Sequence, residues 1–333
     1  MTMATLSLKS LIPRIGAVNL RLILLLIGLL IVFGLVLGDR LFSSASLRSM
    51  AYQLPELGIL SLAMMAPLLS GGLDLSIIAT ANLVALTIAF LFQTIVPAEP
   101  GFVWAAAQIA AIAAGLLLAV GIGAVNGFVI AYLEVSPILT TLGAMTFIKG
   151  ISIGLTHGQV LSGFSSPIVF IGNGSILGVP VVVLIFVAVA AIMAVILNRT
   201  PFGQMLHMLG SNEAATRYSG VDTRRMLVKV YVMSSVLSAI AGVVMMARFN
   251  SANAAYGESY LLVTILAAVL GGVSPSGGFG KVMGLVFGLF ILQLISTAFN
   301  LMNFSQFLTL AVWGGTLIAV AAFARLREFA HFN

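Results

Sequence analysis

Long apolar runs separated by short polar stretches fill the chain from residue 19 onward. Runs of roughly 20 apolar residues are the length a helix needs to cross the hydrocarbon of a bilayer. The pattern predicts about ten such spans. They lie near 19–38, 54–70, 77–96, 102–124, 136–155, 179–198, 227–247, 260–271, 283–302 and 305–324. The run near 260–271 is short for a full crossing. Strands of a membrane barrel would alternate apolar and polar residues over about 10 positions. These runs do not alternate, so the spans are helices.

The polar stretches differ in kind. Residues 198–223 form the one long charged connection. Within it, Ser211 or Asn212 can cap a short helix starting near Glu213, and Gly220 can end it. That helix is either a plain connector or a docking element for a partner. Residues 157–178 form a second long connection, rich in Gly, Ser and Ile, which predicts a short helix lying at the membrane interface.

Composition fixes the solvent. The chain is 61% hydrophobic and 7% charged, with a mean hydropathy of +1.19. A soluble domain carries about 25% charged residues, so most of this surface faces lipid. The 34 glycines fit close packing of membrane helices. Without cysteine there is no disulfide and no thiolate metal site. His157, His207 and His331 show no ligand spacing.

The net charge of +6 serves orientation, not nucleic-acid binding. Lys9, Arg14, Arg21, Arg199, Arg217, Arg224, Arg225, Lys229, Lys281, Arg325 and Arg327 fall on one side of the predicted bundle. Arg40, Arg48 and Arg248 fall on the other. The positive-inside rule makes the first side cytoplasmic, with both termini there. The run Leu20 to Leu37 is followed by no small-residue cleavage site, so it is the first membrane helix and not a signal peptide.

Several residues stand out as candidates. Asp74, between two apolar runs, is either a pathway residue or a charge at the N-terminus of the third span. The layout places it near the cytoplasmic face, within reach of water. Lys149 sits inside the fifth span and either snorkels or pairs with a carboxylate. Ser76, Asn82, Asn126 and Thr140 either meet a polar solute or hold helices together. Gly71-Gly72 and Gly271-Gly272, the latter followed by Ser274, each end an apolar run. They suggest an internal repeat with interrupted helices beside a pathway. No Gly-x4-Gly-Lys-Ser/Thr loop is present, so the chain has no such means of binding ATP.

The stretch Gly210-Ser-Asn212-Glu213-Ala214-Ala215-Thr-Arg217-Tyr-Ser219-Gly220 resembles the EAA loop of ABC importer permeases. Together with Thr200-Pro-Phe-Gly203, Gly71-Gly-Leu-Asp74-Leu-Ser76, Asn126-Gly127, Ser136-Pro137, Thr140-Thr-Leu-Gly143 and Leu270 to Gly280, it resembles the ribose/xylose/arabinose-type sugar permeases. These belong to the branched-chain-amino-acid-like permease group. The resemblance spans roughly 20–325. Ile77-Ile78, Pro275 and Glu134 depart from the family pattern.

This resemblance implies an all-α polytopic bundle of the vitamin-B12-type (type II) importer kind, forming one permease domain over 1–333. It implies a coupling loop at about 198–223 and location in the bacterial cytoplasmic (inner) membrane. The expected function is a pathway for a monosaccharide or small polyol. The expected partners are a cytoplasmic ATP-binding subunit, a periplasmic or lipid-anchored sugar-binding protein, and a second permease copy or relative. ATP and Mg would sit on the ATPase, with no cofactor, metal or nucleic acid on this chain and no enzymatic step of its own. The alternative is a gradient-driven secondary transporter, which needs ionisable residues near the membrane midplane.

Overall fold

A computed structural model describes residues 17–97 and 100–331. Lys9 and Arg14 lie outside the described residues, and the side chains of Arg325, Arg327 and His331 lie outside the description. The helices are α1 (Ala17–Leu37), α2 (Asp39–Phe42), α3 (Ser44–Leu69), α4 (Ile77–Thr94), α5 (Phe102–Tyr132), α6 (Pro137–Thr156), α7 (Ser166–Asn173) and α8 (Val181–Arg199). They continue with α9 (Pro201–Ser211), α10 (Glu213–Tyr218), α11 (Thr223–Phe249), α12 (Tyr260–Leu270), α13 (Val282–Leu301) and α14 (Gln306–His331). Two-residue strands β1 (Leu161–Ser162) and β4 (Ser251–Ala252) pair antiparallel, as do β2 (Ser175–Ile176) and β3 (Val179–Pro180).

The protein is a polytopic helical membrane bundle. Among the described residues, 8 helices are long and apolar enough to cross a membrane, and two shorter apolar stretches, Tyr260–Leu270 and Phe307–Ala319, accompany them. These are the apolar runs of the sequence in the same order. Two of them extend beyond their predicted bounds by eight residues or more. The second begins at Ser44 because Ser43 accepts a hydrogen bond from Ser46 N–H and starts the helix early. The fourth continues to Tyr132, with its polar Asn126 buried and donating to Ser76 Oγ.

Helices α3 and α11 form the centre, whereas α1 and α6 are almost wholly peripheral. The core runs from Leu54 to Leu69 on α3 across to Val230, Leu237 and Val244 on α11. Helix α5 lies directly on α11, and glycine makes this possible. A Cβ at Gly123 or Gly127 would come within 2.6 Å of the α11 backbone at Val232 or Val228.

Contacts collect at the two ends of the bundle. At the α10 end, Arg224 pairs with Glu134 at 3.0 Å and Tyr231 donates to the Leu73 carbonyl at 3.5 Å. At the α7 end, Tyr52 donates to the Asn173 carbonyl and Gln93 to the Ser162 carbonyl. The predicted helix in 157–178 is α7. It does more than lie at the interface, because Gly172 sits directly on the backbone of Ala247 and Arg248 and Ile168 is buried. Helix α12 has 11 residues, a rise of about 16 Å, so it falls short of a full crossing. The connector 250–259 precedes it, held from below by Asn82, whose Nδ2 donates to the carbonyls of Ala254 at 3.0 Å and Tyr256 at 2.8 Å.

Two ionic features of the α7 end were not legible as pairs. Lys149 meets Glu258 of the connector at 2.7 Å. Glu56, fully buried in α3, pairs with Arg248 at the end of α11 and accepts the Tyr260 hydroxyl at 2.7 Å. This cluster ties α3, α11 and α12 together. Removing one partner of a buried ion pair strands the other charge and costs about 3–5 kcal/mol. Arg248→Ala is therefore expected to lower the melting temperature of the detergent-solubilised protein sharply. Adding Glu56→Gln to it should restore a large part of the loss.

Candidate functional site

Helix α10 is built as its sequence predicts. Asn212 Oδ1 accepts the Ala215 N–H at 2.9 Å, while Ser211 instead turns back to the His207 carbonyl at 2.8 Å. Gly220 has φ 84. It ends the helix with Gly220 N–H on the Arg217 carbonyl and Val221 N–H on the Thr216 carbonyl. Glu213 and Arg217 pair at 3.3 Å one turn apart. Glu213, Ala214, Ala215, Arg217, Ser219 and Gly220 are exposed, and Tyr218 is 93% exposed, while Thr216 alone turns inward. A two-turn helix with its apolar and aromatic side chains in the open is a surface suited to a partner.

The helix before it, α9, was not foreseen, although Thr200-Pro201 is a start signal. Thr200 accepts from Gly203 N–H at 3.4 Å and Pro201 occupies the first turn. Its last turn is wedged into the bundle. Gly210 belongs to this joint and not to the exposed surface of α10. Its Cα faces the Leu69 carbonyl and the Gly278 N–H so closely that no Cβ fits. Gly278 N–H donates to the Leu69 carbonyl at 2.9 Å, and the Gly278 carbonyl meets His207 Nδ1 at 2.9 Å. Thus the end of α3, the 274–280 loop and the end of α9 meet at one place.

The two glycine pairs do form equivalent turns, but one residue out of the expected register. Gly71 and Gly272 both have φ 84. Gly71 N–H bonds to the Leu68 carbonyl and Gly72 N–H to the Pro67 carbonyl. Gly272 N–H bonds to the Val269 carbonyl and Val273 N–H to the Ala268 carbonyl. Gly71 therefore corresponds to Gly272, because these two hold the left-handed conformation that glycine adopts most readily. Gly271 has a different task, lying against the α13 backbone at Leu285. Ser274 closes the second loop, its N–H on the Phe279 carbonyl at 2.8 Å and its Oγ accepting Ser276 N–H at 3.3 Å.

Asp74 follows the first turn and is fully buried, which corrects the expectation that water reaches it. Its Oδ1 accepts Ser76 N–H at 3.0 Å and Ser76 Oγ at 2.6 Å. Its Oδ2 accepts Ser234 Oγ of α11 at 2.8 Å. Asn126 of α5 donates to Ser76 Oγ at 3.0 Å. The loop between α3 and α4 is thereby knotted to α5 and α11, and packing against α11 is what seals it from solvent. In this connector, burial raises the Asp74 carboxyl above its ordinary pKa, opposed by the hydrogen bonds from Ser76 and Ser234. Ser234 was missed because a serine in an apolar span gives no signal of its partner.

Asn82 stands apart from this knot and anchors connector 250–259 instead. Thr140 also stands apart, with a buried Oγ1 that has no partner. Among the other polar span residues, Thr87 and Thr146 bond their own helices and Gln108 accepts from Ser165 at 2.6 Å. Between α10 and the bundle lies a cavity of about 690 Å³, bounded by Gly71, Glu134, Pro137, Arg217, Tyr218 and Tyr231. No cluster of three or more metal-ligating side chains occurs among the described residues.

Asparagine can keep most of the Asp74 knot, since its amide oxygen replaces Oδ1 and Ser234 Oγ can accept from its NH2. Alanine orphans the donors, each costing about 1–3 kcal/mol when buried. Asp74→Asn should melt close to the wild type in detergent, and Asp74→Ala well below it.

Comparison with known proteins fits this geometry. Residues 46–321 match the family described as branched-chain amino acid transport system / permease component. Ribose import permease protein RbsC of Bacillus subtilis is 31% identical over 90% of this chain and 91% of its own. L-arabinose transport system permease protein AraH of Escherichia coli is 32% identical over 81% of this chain and 80% of its own. D-allose transport system permease protein AlsC of Escherichia coli is 31% identical over 66% of this chain and 67% of its own. No solved structure matches. A helical bundle whose exposed two-turn helix follows one wedged against the end of α3 and the 274–280 loop, matched along most of its length, belongs to the branched-chain amino acid transport system permease family.

Proposed function

We propose that this chain is the membrane permease subunit of an ATP-driven importer and forms the pathway for a monosaccharide or related small polyol. The observation that carries the reading is α10, exposed on nearly all sides while the helix before it is locked against the ends of α3 and the 274–280 loop. A cytoplasmic ATP-binding subunit docks on Asn212, Glu213, Ala214, Ala215, Arg217, Ser219 and Gly220, with Gly210 behind them in the same coupling stretch. ATP and Mg stay on that partner. Its movement reaches the spans through Gly210 and His207, biasing access to one side or the other.

Two permease copies, or this chain with a close relative, enclose the pathway. A periplasmic or lipid-anchored binding protein delivers the solute to the α7 end. The α10 end, which carries Arg199, Arg217, Arg224, Arg225, Lys229 and Lys281, faces the cytoplasm of a bacterial inner membrane, and both termini lie on that side. The sugar reading rests on relatives named for ribose, arabinose and allose. Those relatives also favour an importer subunit over a self-contained carrier. The intramembrane charges point the same way, since Glu56 with Arg248 and Lys149 with Glu258 are already taken up in pairs.

Glu213→Lys places two cations one turn apart and reverses the charge offered to the partner. Purification of the native complex in mild detergent should recover an ATP-binding subunit with the wild type and lose it with this variant. Recovery of the chain alone from the wild type, where a known importer keeps its ATPase, would favour the carrier reading. Gly210→Ala should act differently. The ATPase stays bound, but solute uptake per ATP hydrolysed in proteoliposomes falls several-fold, because the new methyl group must displace the Leu69 carbonyl.

A further inference from the structure

Helices α5 and α11 leave a groove of about 640 Å³ on the outside of the bundle at its α10 end. Its walls are apolar, with Ala124, Phe128 and Tyr132 on one side and Val228 on the other, and Arg225 and Lys229 also line it. The packing explains the shape. Gly123 and Gly127 draw the two backbones together on the buried side. On the open side, small Ala124 beside the stacked rings of Phe128 and Tyr132, 5.2 Å apart, leaves a furrow that no side chain fills.

The charges beside the furrow do not cancel. Arg224 lies over the Tyr132 ring at 5.7 Å and pairs with Glu134 at 3.0 Å. Arg225 pairs with Asp222 at 2.9 Å. Lys229 is exposed and has no ion-pair partner among the described residues. One positive charge is left over. Lys229 is also within the first two turns of α11, which starts at Thr223, and so stands at the end of a span and not out in the loop. Basic pockets between membrane helices at a leaflet boundary take lipid headgroups.

We propose that this groove binds one anionic phospholipid, with its phosphate on Lys229 and an acyl chain along Ala124, Phe128 and Val228. A single net negative charge, as on phosphatidylglycerol, neutralises the site; zwitterionic phosphatidylethanolamine does not. The inference depends only on the chain crossing a membrane, and holds whatever solute the protein carries.

The test is native mass spectrometry of the full chain in mild detergent, titrated with phosphatidylglycerol or phosphatidylethanolamine of the same acyl length. The wild type should retain one phosphatidylglycerol about fivefold more tightly than phosphatidylethanolamine, the effect of one lysine near the headgroup plane. Lys229→Ala should abolish that preference. Ala124→Phe should weaken retention of both lipids by filling the furrow. Lys281→Ala, at the same end but away from the groove, should change nothing. Equal retention of both lipids by the wild type overturns the proposal, as does undiminished preference in Lys229→Ala or an equal loss in Lys281→Ala. If Ala124→Phe lowers the dimer fraction without altering lipid retention, the groove is an interface between permease copies and the proposal fails.

Discussion

Backbone N–H and C=O groups inside a bilayer have no water to turn to, and in this bundle that constraint bears hardest where helices stop. Helices α3 and α12 both end on a glycine with φ 84. In each case the N–H of that glycine and the N–H of the next residue return to carbonyls of the last turn. What the caps leave open is closed by neighbours. The Leu69 carbonyl receives Gly278 N–H, the 70–76 loop is drawn in by Asp74, and the carbonyls of connector 250–259 are held by Asn82. The irregular backbone survives because it is buried in protein. The same knots therefore determine where the bundle is stiff.

Charge obeys a parallel logic. The central helix α3 is among the least apolar of the spans, and it alone among them holds a fully buried carboxylate, Glu56, among the described residues. Lipid-facing α1 and α8 are nearly pure Leu, Ile, Val and Ala. Polar groups are admitted where protein can answer them. Glu56 is answered by Arg248 and Tyr260, Asp74 by two serines, and Lys149 by Glu258. Thr140, with no partner for its hydroxyl, is an exception on a peripheral helix.

These ties also connect α10 to the interior of the bundle. From its exposed face the chain runs through Asn212 and Ser211 to Gly210, which packs on the Leu69 carbonyl and Gly278 N–H with no side chain between. Beyond that contact lie the ends of α3 and the 274–280 loop, and beyond them the Asp74 knot on α5 and α11. The groove proposed for lipid lies on the outer side of that same α5–α11 contact.

The sequence by itself determined the class of protein, the order of its spans and the form of α10. Those depend on local quantities, namely apolar run length, the Asn212 cap and the need for glycine at Gly220. It also marked Asp74, Ser76 and Asn126 as worth attention, though not that they meet. Only the tertiary structure decided the rest. Ser234 joins Asp74 across 160 positions, Glu56 finds Tyr260 across 204, and Gly71 matches Gly272 in place of Gly271. That Gly210, part of the expected coupling stretch, is also a packing contact was decided in the same way. A side chain's type is written locally, but its partner and its access to water are set by which helix the bundle lays beside it.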